Sequence, residues 1–481
     1  MADINADWSA NANDAITVSL VTPVDGTSKT IASFNPKFTY SIFGDDESIF
    51  GYQGLKIHLK YHACDMRPGI QITYNKKFKA VGDTEPTDVR AILEEYLPNT
   101  AFDKTSVFEA SINVESYKEW KPPGELLRTI IDGGETFEIW KGSLADRAVQ
   151  QLLKRMQILV PFFIEGGTLI ELKDPEWSLQ RWTVFLLYKR NNTLSSTGSP
   201  YVFVGYSTVY RYYLYKLPTP PSSPTSKTDA ISSTKSDFSL PFPDASISTF
   251  PCRSRISQFI ILPAFQGGGH GSRLYETIFK HYLEAPETTE ITVEDPNEAF
   301  DDLRDLNDLS LLRGTPEFTS LRINTDTSLR PKGVVPTAQI VDQLAVESLR
   351  QKMKIAPRQF ARLVEMQLLS LIPTWIRQSL LLEEKRGTSA ELKLKEHEYH
   401  LWQLFVKQRL YRHNKQSLIQ LDRSERIDKL DEALSSVEAD YARLLRSLDP
   451  KTQGMETNGK RSAEDVEDAG EPSSKKARID E

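Results

Sequence analysis

A glycine cluster stands where an anion could be held. Four of the six residues of Gln266-Gly-Gly-Gly-His-Gly271 have no Cβ. The cluster follows a short β-branched apolar run, Ile256 to Leu262, and Pro263. After it come apolar residues at Leu274, Tyr275, Ile278, Phe279 and Tyr282, which is helical spacing. The pattern is strand, glycine turn, helix. A helix start leaves backbone N–H groups unpaired and carries a partial positive charge, so a phosphate or pyrophosphate is the expected ligand. The spacing is not Gly-x-Gly-x-x-Gly, and no Gly-Lys-Ser/Thr follows, which argues against dinucleotide and nucleotide-triphosphate loops. The hexamer alone would also suit a flexible left-handed turn, so its flanks must decide.

Those flanks supply carboxylates. Ile291-Thr-Val-Glu294 predicts a second strand, joined to the first by the intervening helix as a right-handed crossover, so that the C-terminal ends of both strands share one mouth. Glu294 sits at that mouth as a candidate base. Asp295 next to it reads as a helix N-cap, with Pro296 at the first helical position and Glu298 three residues after the cap. Glu165 ends the apolar run Val160-Pro-Phe-Phe-Ile-Glu165, where burial would disfavour its charged form unless it is paired; a solvated carboxylate at a strand end fits the same residues. A fourth group is Phe43-Gly-Asp-Asp-Glu-Ser-Ile-Phe-Gly-Tyr52, with Asp45, Asp46 and Glu47 between aromatic residues; a solvated turn and a binding surface both fit it.

The elements that must position these groups follow from composition and period. With 481 residues, 39% hydrophobic and 26% charged, the chain can bury a large core in two or three domains. Its net charge of −7 argues against a general nucleic-acid surface and suits a basic partner. The 2 cysteines are too few and too far apart for a disulfide framework or a thiolate metal site. No apolar run has membrane-spanning length and no secretory signal is read at the start, so a cytosolic or nuclear protein is expected. Residues 1–15 read as a flexible N-terminus and 16–144 as an N-terminal α+β domain containing the alternating strand Leu55 to Tyr61. Residues 145–330 read as the domain of the glycine turn. Within them, Arg181 to Tyr188 and Tyr201 to Tyr215 predict a hairpin or meander, and the Ser/Pro-rich stretch 217–246 a disordered insertion. Residues 331–449 predict a helical domain broken near Pro373. Residues 450–481 read as a disordered tail in which Lys460-Arg461 and Lys475-Lys-Ala-Arg478 form a bipartite, nuclear-import-like pair of basic clusters.

Gln266 to Gly271 resembles the Gln/Arg-x-x-Gly-x-Gly/Ala motif with which the GNAT superfamily holds the pyrophosphate of acetyl-coenzyme A. Taken with Arg255-Ile-Ser-Gln-Phe259, Ile291 to Asp305, Phe43 to Tyr52 and Gly205-Tyr-Ser-Thr-Val-Tyr-Arg-Tyr-Tyr213, the chain resembles the catalytic subunits of type B histone acetyltransferases in their fungal version. The resemblance implies an α+β fold with a GNAT-type central mixed sheet, acetyl-CoA as co-substrate, no metal, and direct attack by a lysine amine. A lysine of pKa about 10.4 is protonated at neutral pH, so a carboxylate base is needed beside it.

By position, the resemblance gives Glu294 as general base and Glu165 and Asp295 as assisting carboxylates. Phe259, Ile260, Ile261, Gln266, Gly267, Gly268, Gly269, His270, Gly271, Ser272 and Asn297 would hold the coenzyme. Asp45, Asp46, Glu47, Trp182, Tyr210, Arg211 and Tyr212 would form the groove for a basic tail. A departure stands at Leu306, where some fungal members carry an arginine near the coenzyme. The implied substrate is the N-terminal tail of newly made histone four, and the implied partner a WD-repeat propeller that binds histones. Chromatin assembly, silencing and DNA repair are the implied processes. An N-acetyltransferase for another protein or a small amine is the alternative, one that would need neither the acidic turn nor the tyrosine-rich strand.

Overall fold

A computed structural model describes residues 8–24, 26–171, 178–191, 198–214, 250–328, 336–376 and 390–448. The insertion 217–246 and the basic clusters of the tail lie outside the described residues. The chain forms two compact units, one from residues up to 307 together with 347–357, the other from 308–346 and from 358 onward. It is an α+β protein, as expected.

The first unit contains a four-stranded sheet in the order β2-β1-β3-β4, with β1 Ile16–Val24, β2 Thr27–Phe34, β3 Lys56–His62 and β4 Pro68–Thr73. Strand β3 shows why these segments are extended. Ile57, Leu59 and Tyr61 point into the core, whereas Lys56 and His58 point to solvent, the period-two pattern of a sheet with one wet face.

The larger sheet has the order β10-β9-β8-β7-β6-β5, built from β5 Glu125–Asp132, β6 Glu135–Ser143, β7 Trp182–Arg190, β8 Tyr201–Tyr213, β9 Cys252–Ile261 and β10 Thr288–Val293. All neighbours are antiparallel except β9 and β10. The predicted meander is therefore β7 and β8, with Trp182 opposite Tyr210. Val184 to Tyr188 are wholly buried because both faces of β7 are covered.

Several expected boundaries move. Residues 9–15 are not frayed: Ser9–Asn11 pairs with Ser48–Phe50, and Ala12 and Ala15 are buried in the short helix that Asn11 caps. No break falls near residue 144, because β5 and β6 complete the same sheet as β7. Residues 347–357 belong with the first unit, because Ile355 pairs with Ile291 and satisfies the outer edge of β10; Ile291 N–H donates to Lys354 O at 2.7 Å. In the second unit, helices Pro357–Leu371, Ala390–His413 and Arg423–Ser447 meet around buried Glu365, which accepts from Arg409 (2.7 and 2.9 Å) and Tyr441 (2.8 Å).

A buried ionic cluster fastens the first unit. Asp65, just past β3, receives His62 Nδ1 at 2.8 Å on one oxygen and Tyr117 Oη (2.9 Å) and Arg155 Nη1 (2.7 Å) on the other. Arg155 belongs to helix α1, Arg147–Met156. Burial opposes ionisation of Asp65, but the His62 contact, the Arg155 charge and the Tyr117 hydrogen bond outweigh it and bring the carboxyl down to about 2. A carboxyl depressed in the folded state adds stability that is present above its unfolded pKa and lost as pH falls through the folded one. Asp65→Asn should cost on the order of 2 kcal/mol at pH 7. Thermal unfolding of variant and parent should converge as pH falls toward about 2; a gap that does not change with pH would mean that the charge of Asp65 is not what it contributes.

Candidate active site

The site begins where two strands part. Pairing between β9 and β10 runs from Cys252 opposite Thr288 to Ile256 opposite Val293, and the bond from Glu294 N–H to Ile256 O (2.8 Å) is its last rung. On the other side of β9, Val209 faces Ile256 but Ser207 faces Phe259. Ser257 and Gln258 thus stand against Thr208 alone, a β-bulge that bends the strand and re-aims its side chains. Beyond the bulge, Phe259, Ile260 and Ile261 pair only with β8. Gly205 permits this close pairing, since a Cβ there would lie 2.4 Å from Ile260 O. The open edge offers backbone groups to a ligand, and Gln266 Nε2 already donates to Ile261 O at 2.8 Å.

This opening is one wall of a cavity of about 540 Å³. Its lining includes Lys37, Phe163, Glu165, Ser257, Phe259 to Ile261, Gln266, Gly267, Gly269 to Ser272, Glu294, Asp295 and Asn297. The site residues expected from sequence on either side of the glycine turn therefore share one space. Gly268 and Leu306 are not among its lining residues.

At the glycine turn, Gly267 (φ 79°) and Gly269 (φ 72°) take left-handed conformations that a Cβ would strain. Helix α3, His270–Glu284, follows with no side-chain cap, so its first N–H groups remain available to an anion. Gly271 serves a different need: a Cβ there would come within 2.8 Å of Leu303 Cδ1 on helix α4, Glu298–Arg313. His270 packs on Phe137 at 4.5 Å, and Arg273 Nη1 donates to its Nδ1 at 3.2 Å and to Gly268 O at 3.1 Å. Burial and the Arg273 charge push the imidazole pKa below its ordinary value, which favours the neutral ring that accepts from Arg273 and braces the turn. Ser272 Oγ accepts from Asn307 at 3.1 Å, a support that the sequence did not signal.

Glu294 lies at the mouth. Its Oε2 accepts from Ser257 Oγ at 2.6 Å and its Oε1 from Tyr210 Oη at 3.1 Å, with Arg255 Nη2 at 3.7 Å. Burial and the neighbouring Glu294 charge raise the Tyr210 pKa, which keeps its hydroxyl a donor. Trp182 packs against the Tyr210 ring at 4.7 Å. Arg211 leaves this face: as the next residue of the strand it points the other way and pairs with Glu287 at 2.9 Å. Tyr212 returns to the Tyr210 side and is exposed.

Other carboxylates differ from expectation. Asp295 does not cap α4; it occupies a left-handed turn at φ 36°, and Asn297 is the cap, its Oδ1 accepting from Phe300 N–H at 2.9 Å. The extra residues are what the chain needs to turn from the strand end into the helix. Glu165 is exposed in the turn after helix α2, Leu159–Phe163, and so is not shut inside the apolar run that precedes it. Glu47 is committed internally: its carboxylate accepts from Thr39 N–H (2.6 Å), Tyr40 N–H (3.2 Å) and Asn13 Nδ2 (2.7 Å). The Thr39 bond is the largest contribution holding its pKa below the usual carboxylate value. Asp45 and Asp46 remain exposed. Their turn is tied to the Glu165 turn, because Gly166 N–H donates to Tyr40 Oη at 2.5 Å.

A splayed sheet edge, an uncapped glycine-flanked helix and a carboxylate meet in one cavity of this α+β protein. Comparison makes this particular. Residues 8–165 match the family described as "Histone acetyl transferase HAT1 N-terminus" and residues 305–371 the one described as "Fungal HAT1, C-terminal". The chain is 46% identical to the "Histone acetyltransferase type B catalytic subunit" of Gibberella zeae, over 98% of each chain. It is 43% identical to the protein of that name from Neurospora crassa, again over 98% of each, and 34% identical to that from Candida albicans, over 92% of this chain and 90% of the relative. The chain belongs to the family of type B histone acetyltransferase catalytic subunits, and it is an acetyltransferase.

The corrected cap can be checked directly. Asn297→Ala should lower stability by about 1 kcal/mol, whereas Asn297→Asp, which caps equally well, should leave the thermal midpoint nearly unchanged. An unchanged midpoint in Asn297→Ala would remove Asn297 as the cap.

Proposed function

We propose that this protein transfers the acetyl group of acetyl-CoA to lysine side chains in the N-terminal tail of newly synthesised histone four, with Glu294 as general base. The observation that carries this reading is the position of the Glu294 carboxylate, in the same cavity as the unpaired edge of β9 and the uncapped start of α3. The first N–H groups of α3 suit a pyrophosphate, and the free backbone edge at Phe259 to Ile261 suits the amide-bearing arm of the coenzyme. The co-substrate supplies acetyl as a thioester. At the mouth Glu294 takes a proton from the incoming ammonium; the freed amine lone pair attacks the thioester carbonyl, the C–S bond breaks, and the second proton lost by the attacking nitrogen balances protonation of the departing thiolate to the thiol. Glu165 and Asp295 line the same cavity and can stabilise the cationic side chain before it loses its proton.

Specificity for a basic tail is assigned to Asp45 and Asp46, with Trp182, Tyr210 and Tyr212 as the apolar wall along which the tail's methylene stems lie. Arg211 and Glu47 support the fold beside this groove. A WD-repeat propeller that binds histones is the proposed partner, and chromatin assembly the proposed process. Action in both cytoplasm and nucleus is proposed from the two basic clusters of the tail.

Purified protein given acetyl-CoA and a histone-four tail peptide should yield acetyl-lysine by mass spectrometry. Glu294→Gln should lower kcat roughly 10²–10⁴-fold, the usual worth of a general base. Asp45→Asn with Asp46→Asn should raise KM for the peptide while leaving KM for acetyl-CoA unchanged. Full activity of Glu294→Gln would remove it as the base.

A further inference from the structure

The reactive carboxylate has a support that the resemblance did not assign. Ser257 sits in the bulge opposite Thr208, and its hydroxyl donates to Glu294 Oε2 at 2.6 Å. Tyr210, on the next strand, reaches across β9 and donates to Oε1 at 3.1 Å. The register explains the reach: Tyr210 faces Arg255, Arg255 faces Thr292, and Glu294 lies two residues beyond Thr292 on the same face. A carboxylate offers about four acceptor positions. The two hydroxyls take one on each oxygen, which leaves capacity for an ammonium proton on a carboxylate that cannot easily rotate.

We propose that Ser257, together with Tyr210, is a positioning residue for Glu294, fixing both carboxylate oxygens toward the cavity. This inference rests on the reading of Glu294 as the base. The groups facing Glu294 are consistent with it. Arg255 at 3.7 Å adds charge but no hydrogen bond at that distance. Arg181 lies over the Tyr210 ring at 5.6 Å, and Asp295 and Glu165 line the same cavity. Neither hydroxyl is thus replaced by another donor among the described groups. Ser257 lies in the bulge just where pairing with β10 ends, and a bulge re-aims the side chains of its strand, so the same local irregularity delivers the hydroxyl to Glu294.

The test is steady-state kinetics with acetyl-CoA and a histone-four tail peptide on the full chain. Ser257→Ala should lower kcat and kcat/KM together by about 10- to 100-fold, the cost of a small misplacement of a reacting group. KM for both substrates and the thermal midpoint should stay close to the parent's. Ser257→Thr, which restores a hydroxyl, should recover most of the loss, and Tyr210→Phe should cost a smaller factor. In a Glu294→Gln background, Ser257→Ala should add little, because a residue acting only through Glu294 has nothing left to position. Unchanged kcat in Ser257→Ala alongside an impaired Glu294→Gln would overturn the positioning role and spare the base. A full additional loss in the double variant, or no rescue by threonine, would also overturn it. Full activity in Glu294→Gln would instead sink the reading on which the inference rests.

Discussion

Everything at the active site depends on two strands ceasing to pair after Ile256. A parallel pair held together along its length would present a closed edge, its polar groups consumed by its own ladder. The ladder with β10 stops at Ile256, an additional residue in β9 stands against Thr208 just beyond it, and Phe259 to Ile261 pair only with β8. The cost is an exposed strand edge, which proteins ordinarily cover. Here β8 holds β9 from one side through the close approach at Gly205, and the glycine turn and the start of α4 enclose the opened space. The cavity is thus a consequence of sheet geometry, and the helix termini add their unpaired donors to it.

The N-terminal sheet contributes by bracing. Asp65, His62, Tyr117 and Arg155 join the end of β3 to α1, and α1 leads through α2 into the turn that carries Glu165. Glu47 performs a similar service for the acidic turn, spending its carboxylate on Thr39 and Tyr40 so that Asp45 and Asp46 project. One acidic side chain of three shapes the turn, and two face solvent.

Much of this was legible in the sequence because it rests on local signals. Strand, glycine turn and helix were readable from apolar period and from residues lacking a Cβ, and the crossover rule placed Glu294 beside them. What escaped depends on register and on long-range contact. Asp295 looked like a cap because Asp, Pro and Glu stand in capping order, yet the chain needed two further residues to turn, and Asn297 took that role. Arg211 lies among groove residues in sequence but alternates to the other face. Glu165 follows an apolar run, which left a buried and a solvated carboxylate both open, and the structure shows the solvated one because the run ends before it. Ser257 gave no signal at all, since a bulge is a property of two paired strands and no single-strand pattern encodes it. The boundary near residue 144 failed for the same reason: sheet membership is decided by partners.

Among the described residues lining the cavity, Lys37 is the only lysine or arginine. A polyanionic co-substrate bound there would be gripped chiefly by backbone N–H dipoles, whose contribution is short-ranged and releases few counterions. The proposed tail groove would work the other way, with exposed Asp45 and Asp46 meeting a basic segment at the solvent-facing surface. The two substrates of one enzyme would then answer to ionic strength differently: rising salt should loosen the protein substrate well before it loosens the coenzyme. Local salt, or competition from other polyanions for the histone tail, would act on substrate occupancy while leaving the coenzyme in place.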